Sequence, residues 1–306
     1  MAEKRLLHSV MMTPWVILCA LLLTPAPLQA QDDSTLIWLR DNLPPAFIQS
    51  GPEKDQGIVD GVVSMLMTAL PQYQHRVKNA NMARILHMIK QKRPVCYAGF
   101  LKTPEREQYI TFSRANLLTM QNGIIIAKAH RGDRFEQGQA PLSLATLLGR
   151  ADLIPGLIRG RSYGASIDRL LKERAPVQTL YRTEGNALEG ILKMLDVGRI
   201  DYSLGFPWEA PYVAKRIGLN HKFSILPIEE NYRSRWVKNY IGCPKTPWGI
   251  KTIHHIQEAL NELMPSETYM HHQLKWFPRE MELEIRAAFR RLLLKPGRSG
   301  NEASPP

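Results

Sequence analysis

Apolar positions recur along this chain in two alternating rhythms. Thr35–Arg40 (TLIWLR) alternates and is rich in aromatic and branched residues, the rhythm of a strand. Asp41-Asn42-Leu43-Pro44-Pro45 ends it and leaves Phe47 in a loop. Gly57-Ile58-Val59-Asp60-Gly61 reads as a turn into a helix over Val62–Leu70, stopped by Pro71. A short strand follows at His75–Lys78. Met82, Ile85, Leu86 and Ile89 then fall at i, i+3, i+4 and i+7, one helical stripe, with Lys90 and Lys92 at the negative end of the helix dipole. Val95–Phe100 is a buried-looking strand that runs through Gly99 to a turn at Lys102-Thr103-Pro104, and Phe112-Ser113 opens another apolar run. Strand, helix, strand, helix, strand predicts a parallel α/β lobe.

The second half repeats the plan. Gly123–Ala127 is a continuous apolar run, and 130–139 is a charged, glycine-containing break in composition that suggests a lobe boundary. A short helix is predicted at Leu142–Leu148 with Ser143 as cap, then a strand at Leu153–Ile158. Gly160-Arg161-Ser162-Tyr163-Gly164 leads into a helix with Ile167, Leu170 and Leu171 inward; such a loop presents backbone N–H groups to an anion. A strand at Val177–Tyr181 precedes a helix striped by Leu188, Ile191, Leu192 and Leu195, closed by Gly198, and Ile200–Leu204 is the next strand. Lys222–Pro227 is extended, Trp236–Ile241 is a strand, and helices are predicted at 251–264, 266–275 and 279–294. Residues 295–306 carry no periodicity and read as a disordered tail.

Composition is that of an ordinary globular protein: 44% hydrophobic and 22% charged over 306 residues. The beginning departs from it. Lys4 and Arg5 precede an apolar run from Val10 to Leu23 and a candidate cleavage point after Ala30, the order of a secretory leader (1–30) and shorter than a membrane span. A retained anchor is the alternative. Loss of the leader removes Lys4, Arg5 and Glu3, taking the formal charge from +12 to +11. Export argues against nucleic acid as a partner, and no basic block interleaved with aromatics is present. The excess suits a small anionic solute or an anionic envelope surface. Export also leaves two cysteines, Cys96 and Cys243, which in an oxidising compartment either bridge or remain two buried thiols.

Arg106 falls just beyond the carboxyl end of the Val95–Phe100 strand. That crevice is where ligands bind in open α/β sheets, and a guanidinium there suits a carboxylate or phosphate. The order of pieces resembles the extracytoplasmic solute-binding proteins of family 3. The matching residues are Asp41 to Phe47, Gly57 to Gly61, Thr103-Pro104-Glu105-Arg106 with Phe112-Ser113, Gly160-Arg161-Ser162-Tyr163 and Gly198-Arg199-Ile200-Asp201, spanning about 34–294. The resemblance implies an α/β, two-lobed type II periplasmic-binding fold. Each lobe is a mixed sheet flanked by helices, and two crossover strands join them. Its limits are set at 31–124 for the first lobe, 125–224 for the inserted second lobe and 225–294 for the return. It also implies that a periplasmic, monomeric protein without cofactor or metal traps a solute for a membrane permease or hands its closed form to a membrane sensor. Arg106 would clamp a carboxylate beside Gly99, Phe100 and Leu101, with Arg161 and Ser162 meeting it from the second lobe and Phe47 and Phe206 completing the cleft.

Three positions depart from the family pattern. Phe206 stands where an acid usually grips an α-amino group, Cys96 replaces a familiar Asp, and Arg161 replaces a small hydroxyl residue. These departures favour an anionic or aromatic-bearing solute over an ordinary α-amino acid, with Pro207 and Trp208 as an aromatic wall or as core. Catalysis, for instance by a dehydratase using Glu184 and Glu189, is the least favoured class. The pairs His254-His255 and His271-His272 lack partners at metal-ligand spacing and read as structural or surface residues.

Overall fold

The computed structural model describes residues 34–130, 135, 141–183, 186–232, 235–277 and 279–294. The expected leader (1–30), the tail (295–306), Glu184 and all of 131–139 except Phe135 lie outside the described residues. No described helix is long and apolar enough to cross a membrane.

The first sheet runs β2-β1-β3-β10-β4, with β1 Thr35–Arg40, β2 Gln74–Asn79, β3 Val95–Phe100, β4 Ile110–Met120 and β10 Trp236–Pro244. β1 pairs in parallel with β2 and β3, and β10 is antiparallel to both β3 and β4. Helices α1 (Ile58–Ala69) and α2 (Met82–Lys90) make the two parallel crossovers. α1 starts four residues before the expected Val62, because Asp60 caps its own helix. The Asp60 carboxylate accepts the N–H groups of Gly57 (3.1 Å) and Ile48 (2.9 Å), so the turn motif is already the first helical turn. The same bonds tie the loop bearing Phe47 to the helix start. That loop contains a cis peptide between Pro44 and Pro45.

The second sheet runs β7-β6-β8-β5-β9, with β5 Gly123–Ala127, β6 Pro155–Ile158, β7 Leu180–Arg182, β8 Tyr202–Gly205 and β9 Phe223–Pro227. Three parallel strands followed by antiparallel ones repeat the first sheet. Both expected lobe limits, 124/125 and 224/225, fall inside strands that belong wholly to this second sheet. The chain leaves the first sheet at 121–122 and returns to it through 228–235. The strand expected at Val177–Tyr181 begins only at Leu180. Pro176–Thr179 is a turn closed by Thr179 N–H on the Pro176 carbonyl (3.0 Å), and Val177 is fully exposed.

α3 (Pro104–Glu107) packs against β4 of the first sheet, and around the second sheet lie α4 (Leu144–Leu148), α5 (Ala165–Arg174), α6 (Ala187–Asp196) and α7 (Glu209–Arg216). Ser143 caps α4 as expected. α7 had no counterpart in the periodicity reading: it is short and carries Pro211, which a helix tolerates only in its first turn. The C-terminal helices α8 (Pro247–Leu263), α9 (Glu267–Leu274) and α10 (Glu282–Phe289) pack on the first lobe, where Ile256, Leu260, Tyr269, Ile285 and Phe289 join the core of Trp38, Leu66 and Ile85.

Cys96 and Cys243 are bridged, with their Cα atoms 4.4 Å apart on neighbouring strands β3 and β10, both fully buried. Of the histidine pairs, His254 faces Glu258 at the surface (3.3 Å) and His255 meets the Tyr73 hydroxyl (2.8 Å). Among the described residues no three His, Cys, Asp or Glu side chains gather as a metal site.

Candidate functional site

Strand alternation builds the first-lobe wall of a cleft. Tyr97, Gly99 and Leu101 follow at i, i+2 and i+4 along and just past β3, and all three line it, as do Asp41, Asn42 and Phe47 from the loop after β1. Phe100 points the other way. Its side chain is fully buried, which leaves its main chain for the expected place beside the clamp. Its ring lies 5.2 Å from the Arg106 guanidinium and supports it from the core side.

Arg106 lies on α3, whose Thr103 cap accepts the Arg106 N–H (3.3 Å). The side chain is 5% exposed. Its Nη1 donates to the Leu101 carbonyl (2.9 Å) of its own lobe and its Nη2 to the Gly160 carbonyl (3.3 Å) of the other. Gly160 has φ +76°, a conformation open to glycine, which turns its carbonyl toward the cleft. Among the described residues no carboxylate pairs with Arg106. Burial pushes its guanidinium down from the ordinary arginine range, against the more distant pull of Asp168.

The second-lobe wall is organised differently. Arg161 lines the cleft, but both arms of its guanidinium are taken by Glu209, at 2.9 and 2.6 Å, and both side chains are buried. Burial opposes the charge on Arg161, and the Glu209 carboxylate outweighs it, holding the guanidinium above its ordinary range. The Ser162 hydroxyl also lines the cleft and donates to Asp168 (2.5 Å), while the Tyr163 N–H donates to the other Asp168 oxygen (2.7 Å). Phe206 lines the cleft too, stacked on Trp208 with ring centroids 5.1 Å apart and nearly coplanar, and Arg161 lies 5.1 Å from the Phe206 ring.

Position 206 is apolar, as read from the sequence, yet the cleft does not lack acid. Glu209, the first residue of α7, stands less than one helical turn further on, and Asp41 lies on the opposite wall. Asp41 accepts a hydrogen bond from the Tyr97 hydroxyl (3.2 Å). Burial, together with the nearby Glu209 charge, pushes its carboxyl up to about 7, against the pull of Arg161 and the Tyr97 hydrogen bond. In the sequence Asp41 stands out only as part of a loop motif, and Glu209 does not stand out. Nothing in the linear spacing marked Glu209, since the helix that aims it was itself unread. Two further groups were missed: the Asn42 Oδ1 and Trp208 Nε1 atoms in the cleft wall are buried without a hydrogen-bond partner.

The two walls touch at the rims. Asn81 Nδ2 donates to the Thr183 carbonyl (2.8 Å), the Tyr212 hydroxyl to Glu53 (2.6 Å) and Arg216 to Ser50 (3.1 Å), each across the lobes. Phe206 and Trp208 of the second lobe pack into the first lobe's core. The lobes are therefore closed on each other.

No family model and no curated protein matches the sequence. Solved structures do. A histidine kinase sensor domain with similarity to periplasmic binding proteins superposes with a TM-score of 0.63 at 13% identity, over 80% of this chain and 96% of that one. An ancestral arginine-binding protein bound to arginine gives 0.61 at 17% identity, over 81% and 100%. A substrate binding protein of an ABC uptake transporter from Streptococcus pneumoniae, with bound histidine, gives 0.61 at 14%, over 80% and 92%. At such identities the likeness is one of fold: the chain has a two-lobed, type II periplasmic-binding-protein-like fold that resembles the amino-acid ABC transporter substrate-binding proteins.

Proposed function

We propose that this chain is a periplasmic, monomeric solute-binding protein that closes its two lobes on a small carboxylate-bearing solute and delivers it to an ABC-type permease. The observation that carries the reading is Arg106: a buried guanidinium in the cleft, held by main-chain carbonyls from both lobes and, among the described residues, by no carboxylate. A cation so placed gains most from a carboxylate guest, and a guest that touches both walls favours the closed form. In this reading Gly99 and Leu101 supply main chain beside the clamp, Ser162 and the Arg161–Glu209 pair form the facing wall, and Phe47 and Phe206 the apolar sides.

An apolar residue at position 206 and an arginine at 161 favour an anionic or aromatic-bearing solute. With Asp41 and Glu209 present, a carboxylate-bearing solute that also carries a hydrogen-bond donor fits equally well. The similar structures named for arginine, histidine and glutamine binding support this wider class. They also support binding without chemistry. A second reading, that the closed form signals to a membrane partner, is favoured by the likeness to a kinase sensor domain.

Native mass spectrometry of protein recovered from its own cell envelope tests the proposal. The wild type is expected to carry a small carboxylic acid, and Arg106→Ala to lose it by at least about tenfold, the worth of a charge-assisted hydrogen bond. Equal occupancy in the variant would remove Arg106 from the site.

A further inference from the structure

Helix α7 meets the first lobe along one stripe. Glu209, Tyr212 and Arg216 fall at i, i+3 and i+7, while Ala210, Val213 and Ala214 are buried in the second lobe's core. The stripe begins in the cleft, where Glu209 holds Arg161, and runs out of it to the first-lobe loop 50–56. There the Tyr212 hydroxyl donates to the Glu53 carboxylate (2.6 Å) and Arg216 to the Ser50 hydroxyl (3.1 Å). The Tyr212 ring stands edge-on to Trp276 of the first lobe, with centroids 5.5 Å apart and planes at 86°. The Arg216 guanidinium lies 5.9 Å from the same Tyr212 ring.

The loop that receives this helix is itself fastened to the first lobe. Trp276 Nε1 donates to the Gln56 carbonyl (2.9 Å) and the Lys275 ammonium to the Gln56 side chain (3.1 Å). Arg40 pairs with Asp55, and the Asp55 N–H donates to the Ile48 carbonyl (2.9 Å). Glu53 is thus carried on a fixed catch. Burial, followed by the Glu53 hydrogen bond, pushes the Tyr212 hydroxyl up to about 12, so it stays a donor throughout the neutral range. None of Ser50, Glu53, Tyr212, Arg216 and Trp276 is among the residues that line the cleft. The Asn81–Thr183 contact, by contrast, joins two residues that do line it.

We infer that Tyr212 and Arg216 are a latch: they engage the 50–56 loop and hold the lobes closed without touching the solute. A contact made only when the lobes meet favours the closed form by its own worth, whatever the cleft contains. A hydrogen bond to a charged carboxylate is worth roughly tenfold in such an equilibrium. The solute then has less of the closure to supply, and its apparent affinity rises with the closed fraction. The latch is independent of which solute the cleft binds.

Thiol labelling tests it, because a cysteine inside the cleft reacts when the lobes part. Ala187, 6% exposed and lining the cleft, is replaced as Ala187→Cys. Ala127, 5% exposed in the second lobe's core and away from the cleft, is replaced in a separate chain as Ala127→Cys. Cys96 and Cys243 are bridged, and the labelled site is read by peptide mass mapping of the dialysed protein. Tyr212→Phe/Arg216→Met is expected to speed labelling at position 187 at least about tenfold and to leave position 127 within about twofold. Glu53→Leu, which alters only the first lobe, should speed labelling at 187 at least about threefold. Unchanged labelling at 187 in the double variant overturns the latch. So does an equal gain at 127, which would mean a loosened second lobe. No effect of Glu53→Leu overturns it too, since the double variant would then act through α7 on the cleft wall.

Discussion

The two walls of the cleft each bury an arginine, and they treat it in opposite ways. Arg106 in the first wall is held by two carbonyl oxygens and among the described residues has no counter-charge in hydrogen-bonding reach, whereas Arg161 in the second is gripped at both arms by Glu209. A buried cation in the first situation is incomplete until something negative arrives. In the second it is already a finished structural element, and the free energy of its pairing is spent on the fold. One wall is thus built to receive a charge and the other to hold its shape. Two arginines that look alike in sequence, each following a strand and a turn, carry different duties because only one has an acid folded onto it.

The sharpest way to break this contrast is to remove the acid. Glu209→Ala leaves Arg161 buried and unpaired, and is expected to cost about 3–5 kcal/mol of stability. Glu209→Ala with Arg161→Met should recover much of that loss, since replacing both partners of a buried pair is far less costly than removing one. Urea unfolding of both variants decides it. A loss under about 1 kcal/mol in the single variant would mean that Arg161 finds water or another partner, and that the two walls are not different in kind.

The lobes behind the walls differ as well. The first is one continuous core joined by the C-terminal helices and by the Cys96–Cys243 bridge, while the second has two smaller clusters, one on each face of its sheet. The bridge spans 147 residues, a segment that includes the whole second lobe, yet it clamps only β3 to β10. Cys96→Ser/Cys243→Ser is expected to cost about 2–5 kcal/mol. Amide exchange should locate the loosening in β3 and β10, with β6 and β8 of the second lobe little changed. Equal acceleration in both sheets would show that the lobes unfold as one unit.

How far the chain could be read in advance follows the same division. β1, α2 and β3 stood out because their apolar rhythm is unbroken and their ends carry turn residues, and the repeat of that rhythm in the second half gave the two-lobed plan. The side of the site that strand alternation controls is also open to reading: Tyr97, Gly99 and Leu101 share one face, which turns the Phe100 side chain the other way. Arg106, Arg161, Ser162, Phe47 and Phe206 do converge on one cleft. Asp41 and Glu209 were not legible as its acids, because what brings them together is the closure of one lobe on the other. Linear spacing holds no trace of two residues 168 positions apart lining one cleft. The passage between lobes was displaced for a similar reason: Gly123–Ala127 is apolar enough for either sheet, and only its pairing with β8 and β9 assigns it to the second.

Asp41 offers the finest test of how the two walls sense each other. Its carboxyl is raised from 3.8 to about 7, by burial first and then by the facing Glu209 charge. A carboxyl with a higher pKa folded than unfolded holds its proton more tightly in the folded chain, so the folded state loses stability as pH climbs from about 4 to about 7. Above that window the penalty is complete. Asp41→Asn cannot ionise and its amide oxygen still accepts from Tyr97, so it escapes the penalty. The variant should match the wild type near pH 4 and gain on it steadily up to pH 7 in urea midpoints. A difference that stays constant across the window would mean that Asp41 is ionised throughout. The closed cleft would then hold two facing negative charges with Arg161 near both, balanced by Arg161 and Arg106.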